Sequence, residues 1–406
     1  MTHFAVVAPP LAGHWDPLRV LGRRLVARGH QVTFVHMPDA AALVRAAELR
    51  FAAADDGTFG AGALARYDAL LANAAGAIGG WRMIRATARV TQMLLTALPK
   101  ALCELRVDAV LADSTEPAGA LVARHLGLPF VTTVTGLPLL RDPQVPPPYV
   151  DWPYLGGKAG LRRNRGGWRV TDLLMRPIDR VVAGAAEAWG LDPCEHGGLS
   201  PLLQVAQCPP GLDFPRAALP HQFRHTGPWR EAGTAELPDD GRPLVYCSLG
   251  SLQGNRLELF AAMTHACAAV GARAVVATGG RLSEDAERTL PGGPVVARFW
   301  HQPSVLSRCR AAVLHAGFNT VLDALAAGVP MVVAPLAFEQ PGTAARVAWT
   351  GAGLKLSPRR LARELEGALG AVLAEQRYRN AARALQSEIA TLGGVEHAAD
   401  LIEAAL

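Results

Sequence analysis

His315-Ala-Gly317-Phe-Asn319-Thr320-Val-Leu-Asp323-Ala-Leu-Ala-Ala-Gly328-Val-Pro330 is the stretch from which the fold can be read. The apolar run from Ala311 to His315 reads as a buried strand. Gly317 permits a tight turn, and Asn319-Thr320 begin a helix that ends before Gly328. A strand feeding a helix through a short turn is the unit of a parallel sheet. Unpaired amides at such a helix start, together with the helix dipole, favour an anion. Thr320 adds a hydroxyl donor and His315 an imidazole donor, both suited to a diphosphate, and Asp323 is an acceptor for a ribose hydroxyl. The competing reading is that Asn319 or Thr320 only caps a helix.

The surroundings favour the ligand reading. Gly250-Ser251 follow another apolar run, Leu244 to Ser248, and again place amides at a strand's carboxyl end. Trp300 precedes His315 by fifteen residues and can stack on a base. Glu339-Gln340 open a further helix with a carboxylate and an amide, a pair able to hold adjacent sugar hydroxyls.

Working outward, the same α/β rhythm fills both halves of the chain. Phe4 to Ala8, a helix after Gly13 and Gln31 to His36 form one unit. Ala109 to Ala112, Pro117 to His125 and Pro129 to Val134 form another. Pro143 to Gly167, rich in Pro, Gly and Arg, reads as a long irregular excursion. Gly227 to Pro243 reads as a linker, after which strands recur and the tail from Leu361 is helical with a break at Gly393-Gly394. The 406 residues are enough for two domains, and half of them are apolar, which excludes a disordered chain. A net charge of +5 without a dense basic stripe gives no case for nucleic acid. Six scattered cysteines, no signal peptide and no apolar run of ~18 residues predict a cytoplasmic protein.

His14 sits in the first βα turn, where an open parallel sheet presents its ligands. A neutral imidazole there suits removal of a proton from a hydroxyl, and Asp113, at the end of the Ala109–Ala112 strand, can orient it. His36 and His125 read as structural or surface groups. The Gly60-Ala-Gly62-Ala-Leu-Ala65 run follows the polar stretch Asp55-Asp56-Gly57 and not the first strand, and reads as chance. There is no Asp-x-Asp triplet and no His/Cys cluster at metal spacing, so no metal site and no cofactor are expected.

From Trp300 to Gln340 the chain resembles the nucleotide-sugar signature of the family 1 (UDP-dependent) glycosyltransferases. Within that family it most resembles the bacterial zeaxanthin (carotenoid) glucosyltransferases, through Glu116-Pro-Ala-Gly-Ala-Leu-Val-Ala123, Leu212-Asp-Phe-Pro-Arg216 and Leu336-Ala-Phe-Glu-Gln-Pro-Gly342. The resemblance implies a GT-B fold: two Rossmann-like doubly wound α/β domains facing a cleft, with a C-terminal helix crossing back to the N-terminal domain. The boundaries expected are 1–227 for the acceptor domain, 228–243 for the linker, 244–385 for the donor domain and 386–406 for the crossing helix. It implies His14 and Asp113 as the catalytic pair, Trp300 on the base, and His315, Asn319 and Thr320 at the diphosphate. Asp323 would hold the ribose, and Glu339 and Gln340 the sugar, with Gln340 favouring glucose. Gly250, Ser251 and Gly317 complete the donor set. The chain departs from the family at Glu339, where Asp is common, and at Gln302-Pro303, where the family has Pro-Gln.

The reaction so implied is an inverting transfer of glucose, with UDP-glucose as co-substrate, to a hydroxyl of an apolar acceptor such as zeaxanthin. A macrolide, polyketide or phenolic acceptor is the alternative within the family. A sugar-nucleotide epimerase and a non-catalytic nucleotide-binding protein are alternatives outside it. The stretch Tyr149 to Arg169 mixes Trp152, Tyr154 and Trp168 with Lys158 and four arginines, which suggests peripheral contact with a membrane.

Overall fold

The computed structural model describes residues 1–44, 48–74, 76–238 and 240–406; residue 239, within the expected linker, lies outside them. The first half carries strands β1 (His3–Val7), β2 (Gln31–His36), β3 (Arg50–Ala53), β4 (Ala109–Asp113), β5 (Phe130–Val134), β6 (Gln204–Ala206) and β7 (Phe223–His225). Its helices are α1 (Ala12–Ala27), α2 (Ala63–Ala72), α3 (Gly76–Leu105), α4 (Pro117–His125) and α5 (Gly157–Trp189). The second half carries β8 (Leu244–Ser248), β9 (Arg273–Ala277), β10 (Val295–Ala297), β11 (Ala311–Leu314), β12 (Met331–Val333) and β13 (Gly353–Lys355). Around them lie α6 (Leu257–Ala269), α7 (Glu284–Arg288), α8 (Gln302–Leu306), α9 (Phe318–Ala326), α10 (Gln340–Thr350), α11 (Leu361–Ala374), α12 (Gln376–Ala390) and α13 (Gly394–Ala405).

Two all-parallel sheets result, in the orders β3-β2-β1-β4-β5-β6-β7 and β10-β9-β8-β11-β12-β13. Helices cover both faces of each sheet, so the central strands are buried on both sides and read as unbroken apolar runs such as Phe4-Ala-Val-Val7. In each sheet the strand order reverses once beside its first strand, between β1 and β4 and between β8 and β11. A crevice opens at such a point, beyond the carboxyl ends of the strands. The register places Val7 beside Ala112 and Leu314 beside Ser248, so the next residues of each chain emerge together at that edge.

The two halves are tied together. α13 returns to the first domain, burying Ala398, Ala399 and Ile402 in its core, while Arg28, the residue after α1, meets Glu396, Asp400 and Glu403. Across the domain boundary Arg346 of α10 pairs with Asp213 at 2.8 Å, and Arg216 holds the second carboxylate oxygen at 2.6 Å.

The irregular excursion expected over Pro143 to Gly167 ends at Gly156, and α5 is one helix of 33 residues. Four glycines early in α5 argue locally against a helix, at about 1 kcal/mol each relative to Ala. Packing overrides them: a Cβ on Gly167 would stand 2.7 Å from the Trp152 ring. The glycine is there for close approach. Trp168 fixes the same region, donating from Nε1 to the carbonyls of Val145 and Asp142. No helix among the described residues is long and apolar enough to cross a membrane.

Candidate active site

His14 lies in the first turn of α1, directly after β1, and Asp113 is the last residue of β4. Both emerge at the point where the first sheet reverses, as the sequence places them. His14 Nδ1 is 3.3 Å from Asp113 Oδ2 and 2.7 Å from Thr135 Oγ1, and Thr135 Oγ1 donates to Asp113 Oδ2 at 2.5 Å. Thr115 donates to Asp113 Oδ1, from its hydroxyl at 2.5 Å and its amide at 2.9 Å. Asp113 is buried, and His14 keeps a fifth of its side chain exposed toward solvent.

Burial alone would lower the His14 pKa, but the Asp113 carboxylate, and more weakly Glu339, raise it above the ordinary 6.5. Burial likewise pushes Asp113 up, and His14 with the hydroxyls of Thr115 and Thr135 brings it below the usual carboxylate value. A base held beside an ionised carboxylate is the arrangement needed to take a proton from a hydroxyl. His36 is fully buried and accepts from the Met37 amide at 2.8 Å, while His125 stacks on Trp189 at 4.2 Å. Neither reaches this site.

In the second sheet His315 follows β11 and Gly250-Ser251 follow β8, again at the reversal. Gly250 has φ +73°, and a Cβ there would lie 2.7 Å from His315 Nε2; a Cβ on Gly317 would meet the same ring. Two glycines therefore make the slot for the imidazole. Burial lowers the His315 pKa to about 4, so it is neutral at cellular pH, and its Nδ1 has no protein partner among the described residues. Beside it α9 starts at Phe318 without a side-chain cap; the first ladder bond is Val321 N to Gly317 O at 3.0 Å. The amides before Val321 lie outside that ladder, and unpaired amides at a helix start favour an anion. Thr320 is buried next to them, and Trp300 is half-buried, its Nε1 anchored on Val276 O at 2.9 Å.

Three expected donor residues have partners that the sequence did not suggest. Asn319 donates from Nδ2 to Gly13 O at 2.7 Å, across the cleft to the residue before His14. Its Oδ1 accepts from Arg230 at 2.9 Å and from Gln207 at 3.3 Å. Asp323 Oδ1 accepts from Arg230 Nε at 2.5 Å, and burial still leaves its carboxyl raised. Gln340 accepts from the amides of Leu336 and Ala337, both at 2.8 Å, so its carboxamide folds the loop that leads into α10. Glu339, at the start of that helix, is half-buried; burial raises its pKa and the charge of His14 opposes the rise. Among the described residues no group of three or more His, Cys, Asp or Glu could hold a metal ion.

Thr135, Thr115, Gln207 and Arg230 escaped the sequence reading. A faint signal existed for Thr135, the last hydroxyl of Val131-Thr-Thr-Val-Thr135 at a strand's carboxyl end. For Arg230, in the segment between the sheets, there was none.

The family described as "UDP-glucoronosyl and UDP-glucosyl transferase" matches residues 236–390. A zeaxanthin glucosyltransferase of Pantoea ananas is 37% identical over 99% of this chain and 96% of its own length. One from Pseudescherichia vulneris is 37% identical over 100% and 98% respectively. The crystal structure of the calicheamicin glycosyltransferase CalG4, at 24% identity, aligns with 100% of this chain and 98% of its own, with a TM-score of 0.78. The likeness shows a shared fold, the GT-B arrangement of two Rossmann-like domains.

Proposed function

The chain belongs to the UDP-glucoronosyl and UDP-glucosyl transferase family and is a glycosyltransferase, and we propose that it moves glucose from UDP-glucose, with inversion, to a hydroxyl of a carotenoid such as zeaxanthin. The observation that carries this reading is the bond from Asn319 to the carbonyl of Gly13. It sets the anion-binding start of α9 against the turn that holds His14, so a diphosphate on one side and a hydroxyl on the other meet in one cleft. The acceptor class is supported by the two full-length relatives named above.

In this reading His14 Nε2 takes the proton as the acceptor oxygen attacks the anomeric carbon from the face opposite the leaving group. The charge arriving on the diphosphate is met by the α9 amides, Thr320 and the neutral His315. These groups give the step its electrostatics without a metal or other cofactor. Trp300 would carry the base and Glu339 the sugar. Mass spectrometry of products from UDP-glucose and an acceptor panel, with zeaxanthin and unrelated phenolics, tests the assignment. Turnover of a phenolic or macrolide alone would replace the carotenoid.

The donor half has its own test. Trp300→Ala should weaken UDP binding by about 5- to 150-fold in calorimetry, the loss of one base-stacking contact of about 1–3 kcal/mol. Activity should survive EDTA. Strict dependence on Mg²⁺ would sink the metal-free step, and preference for thymidine diphosphate sugars would overturn the UDP assignment.

An acceptor dissolved in lipid also asks for contact with a membrane surface, and α5 supplies one. Arg162, Arg165, Arg169, Leu173, Arg176 and Arg180 recur at helical spacing and are exposed, with Val170 at 58% and Leu173 at 57%. From Gly157 to Arg180 the helix has seven basic and two acidic residues, an excess equal to the net charge of the whole protein. Basic groups near an anionic leaflet contribute about 1 kcal/mol each. Replacing the five arginines with Gln should abolish flotation with anionic liposomes and slow transfer to vesicle-embedded acceptor. Equal flotation of both proteins would remove this face from the reading.

A further inference from the structure

An ionised carboxylate only accepts hydrogen bonds, and Asp113 thereby sets the direction of the bonds around His14. Thr135 Oγ1 lies 2.5 Å from Asp113 Oδ2, so its one proton is donated there. The same oxygen lies 2.7 Å from His14 Nδ1 and, with its proton committed, can only accept. Nδ1 must then carry the imidazole proton, which leaves the lone pair on Nε2. The direct contact between His14 and Asp113, at 3.3 Å, is longer than the ~2.7–2.9 Å of a good charged hydrogen bond. The short path between base and carboxylate runs through the threonine. Thr135 is 1% exposed, and its hydroxyl serves this pair with both of its hydrogen bonds among the described residues.

We propose that Thr135 is a positioning residue of the transfer reaction, whose hydroxyl links the Asp113 carboxylate to His14 Nδ1 and fixes the tautomer that acts as base. The proposal rests on His14 being the base. In the step, the acceptor O–H bond breaks and its proton goes to Nε2, while the oxygen forms a bond to the anomeric carbon. The bond from that carbon to the diphosphate oxygen breaks, and its electron pair leaves with the nucleotide. Nδ1–H remains donated to Thr135, and Thr135 keeps its proton toward Asp113. The carboxylate stabilises the imidazolium through the hydroxyl without being protonated.

Thr135→Val removes the hydroxyl and keeps the shape; Thr135→Ser keeps the hydroxyl. With zeaxanthin in detergent micelles and UDP-glucose, Thr135→Val should lower kcat about 10- to 100-fold, with KM for UDP-glucose within about twofold. Losing the nearest acceptor leaves Nδ1–H only the longer contacts to Asp113 at 3.3 Å and Thr115 at 3.4 Å, which destabilises the imidazolium, so the acid limb of the pH profile should move to lower pH. Thr135→Ser should recover most of the activity. Wild-type kcat and an unmoved limb in Thr135→Val, or a Thr135→Ser protein as impaired as Thr135→Val, would overturn the proposal.

A second measurement needs no acceptor. In ¹⁵N-histidine-labelled full-length protein, with His14 assigned by its loss in His14→Gln, the wild type should show the Nδ1–H tautomer and Thr135→Val a mixture. An Nε2–H tautomer in the wild type overturns the relay. Full activity in His14→Ala would instead remove the base reading, so the two failures are distinct.

Discussion

His14→Ala is expected to reduce transfer by at least about 100-fold while leaving UDP binding by calorimetry nearly unchanged. His14 stands on the first domain, and the groups suited to a nucleotide diphosphate stand on the second. Truncating the imidazole therefore removes the proton acceptor and spares the anion site. The pH dependence follows from the charges. Burial disfavours the imidazolium, but Asp113 and Glu339 outweigh it and raise the His14 pKa above 6.5. The base form is lost as pH falls through that raised value, so the acid limb of kcat/KM should lie above the value of an ordinary histidine. His14→Ala with near-wild-type kcat on the best acceptor would require another base.

Asp213→Ala is expected to destabilise the protein by about 3–5 kcal/mol, read as a lowered urea midpoint or melting temperature. Asp213 belongs to the first domain, Arg346 to α10 of the second, and both side chains are almost fully buried. Arg216, 2.6 Å from the other carboxylate oxygen, is buried with them. Removing the one anion leaves two guanidinium groups facing each other in a low-dielectric seam, which costs far more than an exposed ion pair. The seam is otherwise aromatic: Arg346 lies over Phe214 at 4.4 Å, and Phe214 meets Tyr154 and Trp349. Burial raises the Asp213 pKa, but Arg346 and Arg216 prevail and hold it below the usual 3.8. A depressed folded-state pKa stabilises above the unfolded value, and the contribution is lost as pH falls through the folded one. The wild type should thus lose stability below about pH 4 more steeply than Asp213→Ala. A variant that melts within a degree of the wild type would show that the pair holds nothing together.

Much of the candidate site's placement was legible because it sits where sheet topology requires. His14 after β1 and His315 after β11 are each the chemistry-bearing side chain of a βα turn, and a turn is a local feature. The helix over residues 157–189 was not legible. Its glycines look like breakers until Trp152 is packed against Gly167. Gln340 was legible as an amide at a helix start, but its use, accepting from the amides of Leu336 and Ala337, depends on how the preceding loop folds.

By itself the sequence determined the two parallel sheets, their helices and the residue types delivered to each carboxyl edge. Apolar runs, glycines and helix starts act over a few neighbouring residues, and burial of both sheet faces follows from them. Only the tertiary structure decided which delivered side chains meet. His14 reaches Asp113 across 99 residues, Thr135 across 121, and Asn319 reaches Gly13 across 306. Arg230 came to Asp323 from the segment between the sheets. Hydrogen-bond partners are chosen by distances of about 3 Å, and separations of that precision are set by register, twist and domain closure, which no local pattern of residues encodes.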